Sequence, residues 1–152
     1  MESRVSEIPT EKVDVLVVAA HAPDPVAYPA APTDCFVQLY TSGTTGFPKG
    51  AMLTHHGMLA HARNVAATQA LDANARVQVA MPLFHVGGTS YSLVAWAGGA
   101  PIFMMRQPDP LGALQMLERE RITHTFYVPA LMAAMTQSTG GRSFDFSALK
   151  AV

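Results

Sequence analysis

Between residues 77 and 105 the chain carries no Asp, Glu, Lys or Arg. A stretch that long belongs either in lipid or inside a protein, since about 20 apolar residues suffice to cross a bilayer. Pro82, Gly87, Gly88, Gly98, Gly99 and Pro101 cut it into short pieces, and Gln78, His85, Thr89, Ser90 and Ser92 add polar groups. Irregular backbone facing lipid would leave N–H and C=O groups unsatisfied, so the membrane is the poorer host. A strand over 76–81, a turn, a short helix over 89–97 and a strand over 101–105, all buried, fit the pattern.

Composition points the same way. Charged residues make up 14% of the 152 residues, against roughly 25% in a typical soluble domain, and the mean hydropathy is positive. A chain of this length can bury a core, but so few charges cover a free surface thinly, as expected of part of a larger core. The net charge of −1 gives no field for nucleic acid or an acidic membrane. One cysteine, Cys35, excludes an internal disulfide and fits a reducing compartment. The opening Met-Glu-Ser-Arg-Val-Ser-Glu lacks the basic-then-apolar order of a secretory signal, so the expected compartment is the cytoplasm.

Residues 1–33 read as a connector, with an apolar run over 13–20 and then Pro23, Pro25, Pro29 and Pro32, each disfavouring helix before it. Regular structure is expected over 34–152. A buried strand over 35–40 precedes a glycine- and threonine-rich loop. Thr54 then caps a helix with the apolar stripe Met58, Ala62, Val65, Ala66 and Gln69. Asp109 and Pro110 start another helix, with Leu111, Leu114 and Leu117 inward and Glu118, Arg119, Glu120 and Arg121 toward water. A fourth strand is expected over 122–128. Pro129 opens a last helix with Leu131, Met132 and Met135 on its inner side. Trp96 and the nine methionines read as core. Strands separated by helices of this length predict an α/β fold, mostly parallel with right-handed crossovers.

The chemistry concentrates in Tyr40-Thr41-Ser42-Gly43-Thr44-Thr45-Gly46-Phe47-Pro48-Lys49-Gly50, read as a link from strand to helix. Its glycines let backbone amides approach a ligand, four hydroxyls add neutral donors, and Lys49 adds a cation. Converging N–H and O–H donors with one cation suit a polyphosphate. The Walker spacing fails because Lys49 follows Pro48, and the dinucleotide fingerprint fails because Thr44-Thr45 follows Gly43. Composition alone leaves open a polar turn that binds nothing.

The whole string Thr41-Ser42-Gly43-Thr44-Thr45-Gly46-Phe47-Pro48-Lys49-Gly50 resembles the signature of the adenylate-forming (AMP-binding) superfamily, which includes acyl-CoA synthetases, peptide-synthetase adenylation domains and firefly-type luciferases. Met81-Pro82-Leu83-Phe84-His85-Val86-Gly87-Gly88 is similar to the family's next motif. The resemblance implies that Thr41, Ser42, Gly43, Thr44, Thr45, Gly46 and Lys49 hold the phosphates of ATP. It also implies that His85 lies by the acid carboxylate and forming acyl-adenylate, with Val86, Gly87 and Gly88 near the acyl group. Read without the resemblance, His85 is sooner a satisfied core histidine than a ligand. His55 and His56, beside the loop, read as solvent-facing. His21, His61 and His124 show no ligand spacing, so no metal site is expected.

The resemblance runs over about 32–152 and covers the central part of the family's large N-terminal domain. It implies an acyl-CoA synthetase using a carboxylic acid, ATP and coenzyme A, with magnesium held by residues outside this sequence. The motifs for adenine, ribose, hinge and catalytic lysine are not found, and Lys150 does not replace that lysine by position. The chain is therefore expected to be a fragment, inactive alone. If about 500 Å2 of apolar surface is left uncovered, about 12 kcal/mol of burial is forfeited at about 25 cal/mol per Å2, comparable to a domain's whole stability. Self-association is expected. The alternatives are a non-catalytic phosphate-binding or self-associating fragment, or a piece of a peptide-synthetase adenylation domain.

Overall fold

The structure, a computed structural model, describes residues 29–41 and 47–152. The expected connector lies mostly outside the described residues, as do the apolar run 13–20, His21 and loop residues 42–46. In chain order the elements are β1 (Cys35–Thr41), β2 (Lys49–Thr54), α1 (His55–Thr68), β3 (Val77–Val79), α2 (Val86–Ala97), β4 (Ile102–Met104), α3 (Pro110–Arg119), β5 (His124–Thr125) and α4 (Pro129–Ser138). No helix among the described residues is long and apolar enough to cross a membrane.

The first part departs from expectation. β1 does not feed a helix directly but turns back on β2 as an antiparallel hairpin, from Cys35 opposite Thr54 to Thr41 opposite Lys49. The strand β2 was hidden in the sequence because Lys49, Gly50 and Thr54 dilute its apolar residues. Nor is β1 buried. Both strands lie at the surface, with Tyr40 and Met52 each 69% exposed.

The second part is parallel, as expected. β4 and β5 flank β3, and both pair with it in parallel. Ala151 extends the same pairing beside His124. The strands are shorter than their apolar runs: the fourth, expected over 122–128, shrinks to two residues, since apolar sequence continues after the ladder ends. Alternation along β3 separates two cores. Val77 and Val79 pack with Ala62 and Ala66 of α1 and Tyr91 and Val94 of α2. Gln78 points the other way, to the layer of α3 and α4 that buries Leu114, Leu117, Ile122 and Met135. Helices on both faces of a parallel sheet make the fold α/β.

A polar side chain in a central strand must be satisfied. Gln78, fully buried, donates through Nε2 to the Ala113 carbonyl at 3.2 Å, and its Oε1 accepts from the Tyr127 hydroxyl and, at 3.4 Å, from Thr125. That network links β3, α3 and β5. His124 is also core, 1% exposed, between Thr123 Oγ1 at 2.7 Å and the Gln69 carbonyl at 3.1 Å.

Helix starts follow the sequence. Thr54 Oγ1 accepts from Gly57 N–H at 3.2 Å, and Asp109 Oδ1 accepts from Leu111 N–H at 3.1 Å. Pro110 and Pro129 open α3 and α4. Carbonyls of Asp34 and Pro32 take the N–H groups of His55 and His56, so the 29–34 segment closes over the start of α1.

Several side-chain burial expectations fail. Trp96 is 66% exposed and Met132 is 46% exposed, each on the outer face of its helix. Of the described methionines, Met58, Met116 and Met135 are buried, while Met52 and Met104 are exposed. Glu120 is half-buried, not solvated, because its carboxylate takes Arg76 at 3.1 Å and Arg119 at 2.9 Å.

Candidate active site

The hairpin presents the loop. Thr41 and Lys49 form its last rung, with Thr41 Oγ1 3.5 Å from the Lys49 carbonyl, so they close the loop between them. Both are exposed. Ser42, Gly43, Thr44, Thr45 and Gly46 lie outside the described residues. Antiparallel pairing on both sides of the loop fixes its mouth, which a strand-to-helix turn would do on one side only.

The second motif sits at the carboxyl end of β3. α2 begins three residues before its expected start at Thr89, because His85 is its N-cap: the ring Nδ1 accepts from the Gly87 N–H at 3.2 Å. An accepting Nδ1 carries no proton, so the neutral ring bears its proton on Nε2. Nε2 has no partner among the described residues. His85 is exposed among the described residues and belongs to neither of their cores. A donor is thus fixed at a helix N-terminus, where the helix dipole favours an anion.

The two glycines of the motif serve the protein's own packing. A Cβ on Gly88 would lie 2.3 Å from the Pro82 carbonyl oxygen and 2.4 Å from that of Met81. One on Gly87 would meet the Phe126 ring at 3.3 Å. Without them α2 could not begin against the end of β3. Val86 is exposed beside His85. An open cavity of about 430 Å3 lies between the hairpin and α2: Met52, Leu53 and Thr54 line it with Met58 and His61 of α1 and Val86 and Ser90 of α2, while Lys49 and His85 are not among its lining residues. Lys49 begins the strand on one side, and His85 caps the helix on the other.

The remaining candidates separate from this site. His55 is half-buried, its ring edge-on to Phe36 at 5.2 Å, whereas His56 is exposed. Among the described residues no three His, Cys, Asp or Glu converge on a possible metal position. Another cavity of about 510 Å3, with Arg76, Arg121, Thr123 and Lys150, lies at the amino ends of β3 and β5. Arg76 is engaged there by Glu120 at 3.1 Å and Arg121 by Asp145 at 3.8 Å, and it shares nothing with the His85 end. Burial pushes the Tyr91 hydroxyl up to about 12 despite its bond to Gln69, and that of Tyr127 up to about 12. Both stay neutral packing groups, not acid–base groups of a site.

Sequence reasoning missed three parts of this arrangement: β2, the capping role of His85, and Thr89, which ties the turn before α2. Thr89 donates its hydroxyl to the Leu83 carbonyl. Its position four residues after His85 was the available signal.

A family model described as AMP-binding enzyme matches residues 3–152. Feruloyl-CoA synthase of Amycolatopsis is 33% identical over 148 residues, 97% of this chain and 29% of that protein. Indoleacetate–CoA ligase of Aromatoleum aromaticum is 35% identical over 130 residues, 85% of this chain and 25% of that protein. Among solved structures, the N-terminal domain of FACL13 from Mycobacterium tuberculosis superposes with a TM-score of 0.71 at 26% identity, covering 86% of this chain and 33% of that one. An adenylation-containing peptide-synthetase module, selecting a keto acid, gives 0.73 at 29% identity, covering 83% and 11%. The chain thus spans a third or less of the length of these relatives.

Proposed function

The chain belongs to the AMP-binding enzyme family, and we propose that it forms part of an ATP-dependent acid–thiol ligase that activates a carboxylic acid as its acyl-adenylate and passes the acyl group to coenzyme A. The observation that carries the reading is His85, held as a helix cap with Nδ1 engaged and Nε2 facing out. In the first step a carboxylate oxygen bonds to the α-phosphorus of ATP, and pyrophosphate leaves with the electrons of the broken P–O bond. In the second a thiol sulfur bonds to the acyl carbon, the acyl C–O bond to phosphate breaks, AMP leaves with its electrons, and the thiol proton goes to solvent.

Each motif has a part in the first step. Thr41, Ser42, Gly43, Thr44, Thr45, Gly46 and Lys49 surround the β- and γ-phosphates with neutral donors and one cation. His85 donates from Nε2 to the acid carboxylate or forming adenylate, with Val86, Gly87 and Gly88 alongside the acyl group. A fixed donor needs no reorganisation as charge develops, which is how such groups lower a barrier. Magnesium is the usual companion of ATP and would be held by the phosphates with carboxylates from outside these residues. Relatives named as CoA ligases favour coenzyme A as acceptor over a carrier-protein thiol. Because the chain spans less than a third of these relatives, the 152 residues alone are expected not to turn over.

Acid-dependent pyrophosphate release by the intact protein tests the reading. Lys49→Ala should raise the ATP concentration needed for half-maximal rate while the melting temperature stays close to wild type. Pyrophosphate release by the 152 residues alone, lost on Lys49→Ala, would sink the view that they are only part of the catalyst.

A further inference from the structure

We propose that Thr89 is a positioning residue that holds the His85 imidazole in its donating orientation, an inference resting on the role proposed for His85. The segment before α2 has little packing to hold it. Phe84 is 86% exposed, Leu83 and Val86 are about half exposed, and His85 is exposed. Its conformation therefore depends on hydrogen bonds. His85 N–H donates to the Pro82 carbonyl at 3.1 Å, which forms the turn.

Thr89 bonds on both sides of that turn. Its backbone N–H donates to the His85 carbonyl at 3.1 Å, and its hydroxyl donates to the Leu83 carbonyl. The first bond is ordinary helix backbone that any residue but proline could make. The second is the side-chain bond that reaches back across the turn, and it takes a carbonyl that would otherwise be free to rotate. With Leu83 pinned and Gly88 seated on the carbonyls of Met81 and Pro82, the His85 backbone is held from both directions. The ring can then keep Nδ1 on the Gly87 N–H and Nε2 outward. Loss of the hydroxyl should release the Leu83 peptide, loosen the cap and let the ring sample its other tautomer.

Thr89→Val removes the hydroxyl at nearly constant shape, and Thr89→Ser keeps it. Nitrogen-15 NMR of the His85 ring should show a single Nε2–H tautomer in the wild type and in Thr89→Ser, and a mixture in Thr89→Val. In the intact protein, Thr89→Val should lower the single-turnover adenylation rate about tenfold, as expected for a slightly misplaced group, with ATP affinity unchanged and Thr89→Ser near wild type. A single tautomer and full rate in Thr89→Val overturn the proposal, as does failure of Thr89→Ser to rescue. If Thr89→Val and Thr89→Ala both fail to fold, the hydroxyl maintains the fold and the positioning role is likewise overturned. A mixed tautomer in Thr89→Val, with an undiminished rate in both Thr89→Val and His85→Ala, leaves the positioning role standing and removes the catalytic one from His85.

Discussion

On the proposed reading, His85 serves structure and chemistry through different atoms. Nδ1 caps α2, and Nε2 has no partner among the described residues. His85→Ala removes both, and the two losses differ in size. A missing cap costs about 1 kcal/mol of stability, while a missing transition-state donor costs on the order of a hundredfold in rate. Single-turnover adenylation should therefore fall far more than the melting temperature. His85→Asn, which can still cap, should recover the melting temperature but not the rate. The buried tyrosines give a second test at this scale. Tyr91 and Tyr127 ionise near 12 in the folded chain and near 10 when unfolded. A raised folded value means the stability from these hydroxyls is complete below about pH 10 and is lost as pH rises toward 12. Ultraviolet titration should show both ionising well above a free tyrosine while the chain stays folded, and Tyr127→Phe should narrow the alkaline loss of stability.

The helices α1, α2 and α3 end alike. In each a left-handed residue lets the next N–H reach a carbonyl five residues back: Leu71 to Ala66, Ala100 to Ala95 and Ile122 to Leu117, at 2.8 to 3.0 Å. Only α2 places glycine there. The others use Ala70 at φ 50° and Arg121 at φ 47°, a conformation that costs a residue with a Cβ about 1–2 kcal/mol. Ala70→Gly should raise stability, by up to about 1 kcal/mol after glycine's own entropy cost. The check is the melting temperature, which should rise by a few degrees. Gly88→Ala should do the reverse. Its Cβ would run into backbone oxygens that cannot swing aside, so α2 must shift, and a loss of a few kcal/mol is expected in the same measurement.

At the scale of the whole molecule, the parallel sheet and the hairpin are unequal. β3 is fully buried with helices on both faces, whereas β1 and β2 form a two-stranded sheet with Phe36, Tyr40 and Met52 exposed. A two-stranded sheet alone is marginal in water. Hydrogen exchange should be slowest at Val77, Gln78 and Val79 and fastest in the hairpin. The same exposed groups should make the 152 residues associate with rising concentration, as large apolar patches do. Sedimentation velocity should show that association, and Tyr40→Lys with Met52→Lys should weaken it. Equal sedimentation at all concentrations would count against it.

The sequence alone determined what depends on neighbours along the chain. Thr54, Asp109, Pro110 and Pro129 marked helix starts because caps and prolines act within one turn. The family was legible in the loop 41–50 and the motif 81–88 because residue types in order carry the resemblance. What lay across space was not legible. That Lys49 opens a strand paired with β1 depends on partners approaching from elsewhere, and the local pattern is too dilute to show it. That Gln78 could sit in a central strand depends on Ala113, Thr125 and Tyr127 arriving to satisfy it. His85 is the sharpest case. Its local sequence context favoured a buried residue, and only the start of α2 against the carbonyls of Met81 and Pro82 left it exposed, with Nδ1 on the Gly87 N–H and no partner for Nε2 among the described residues.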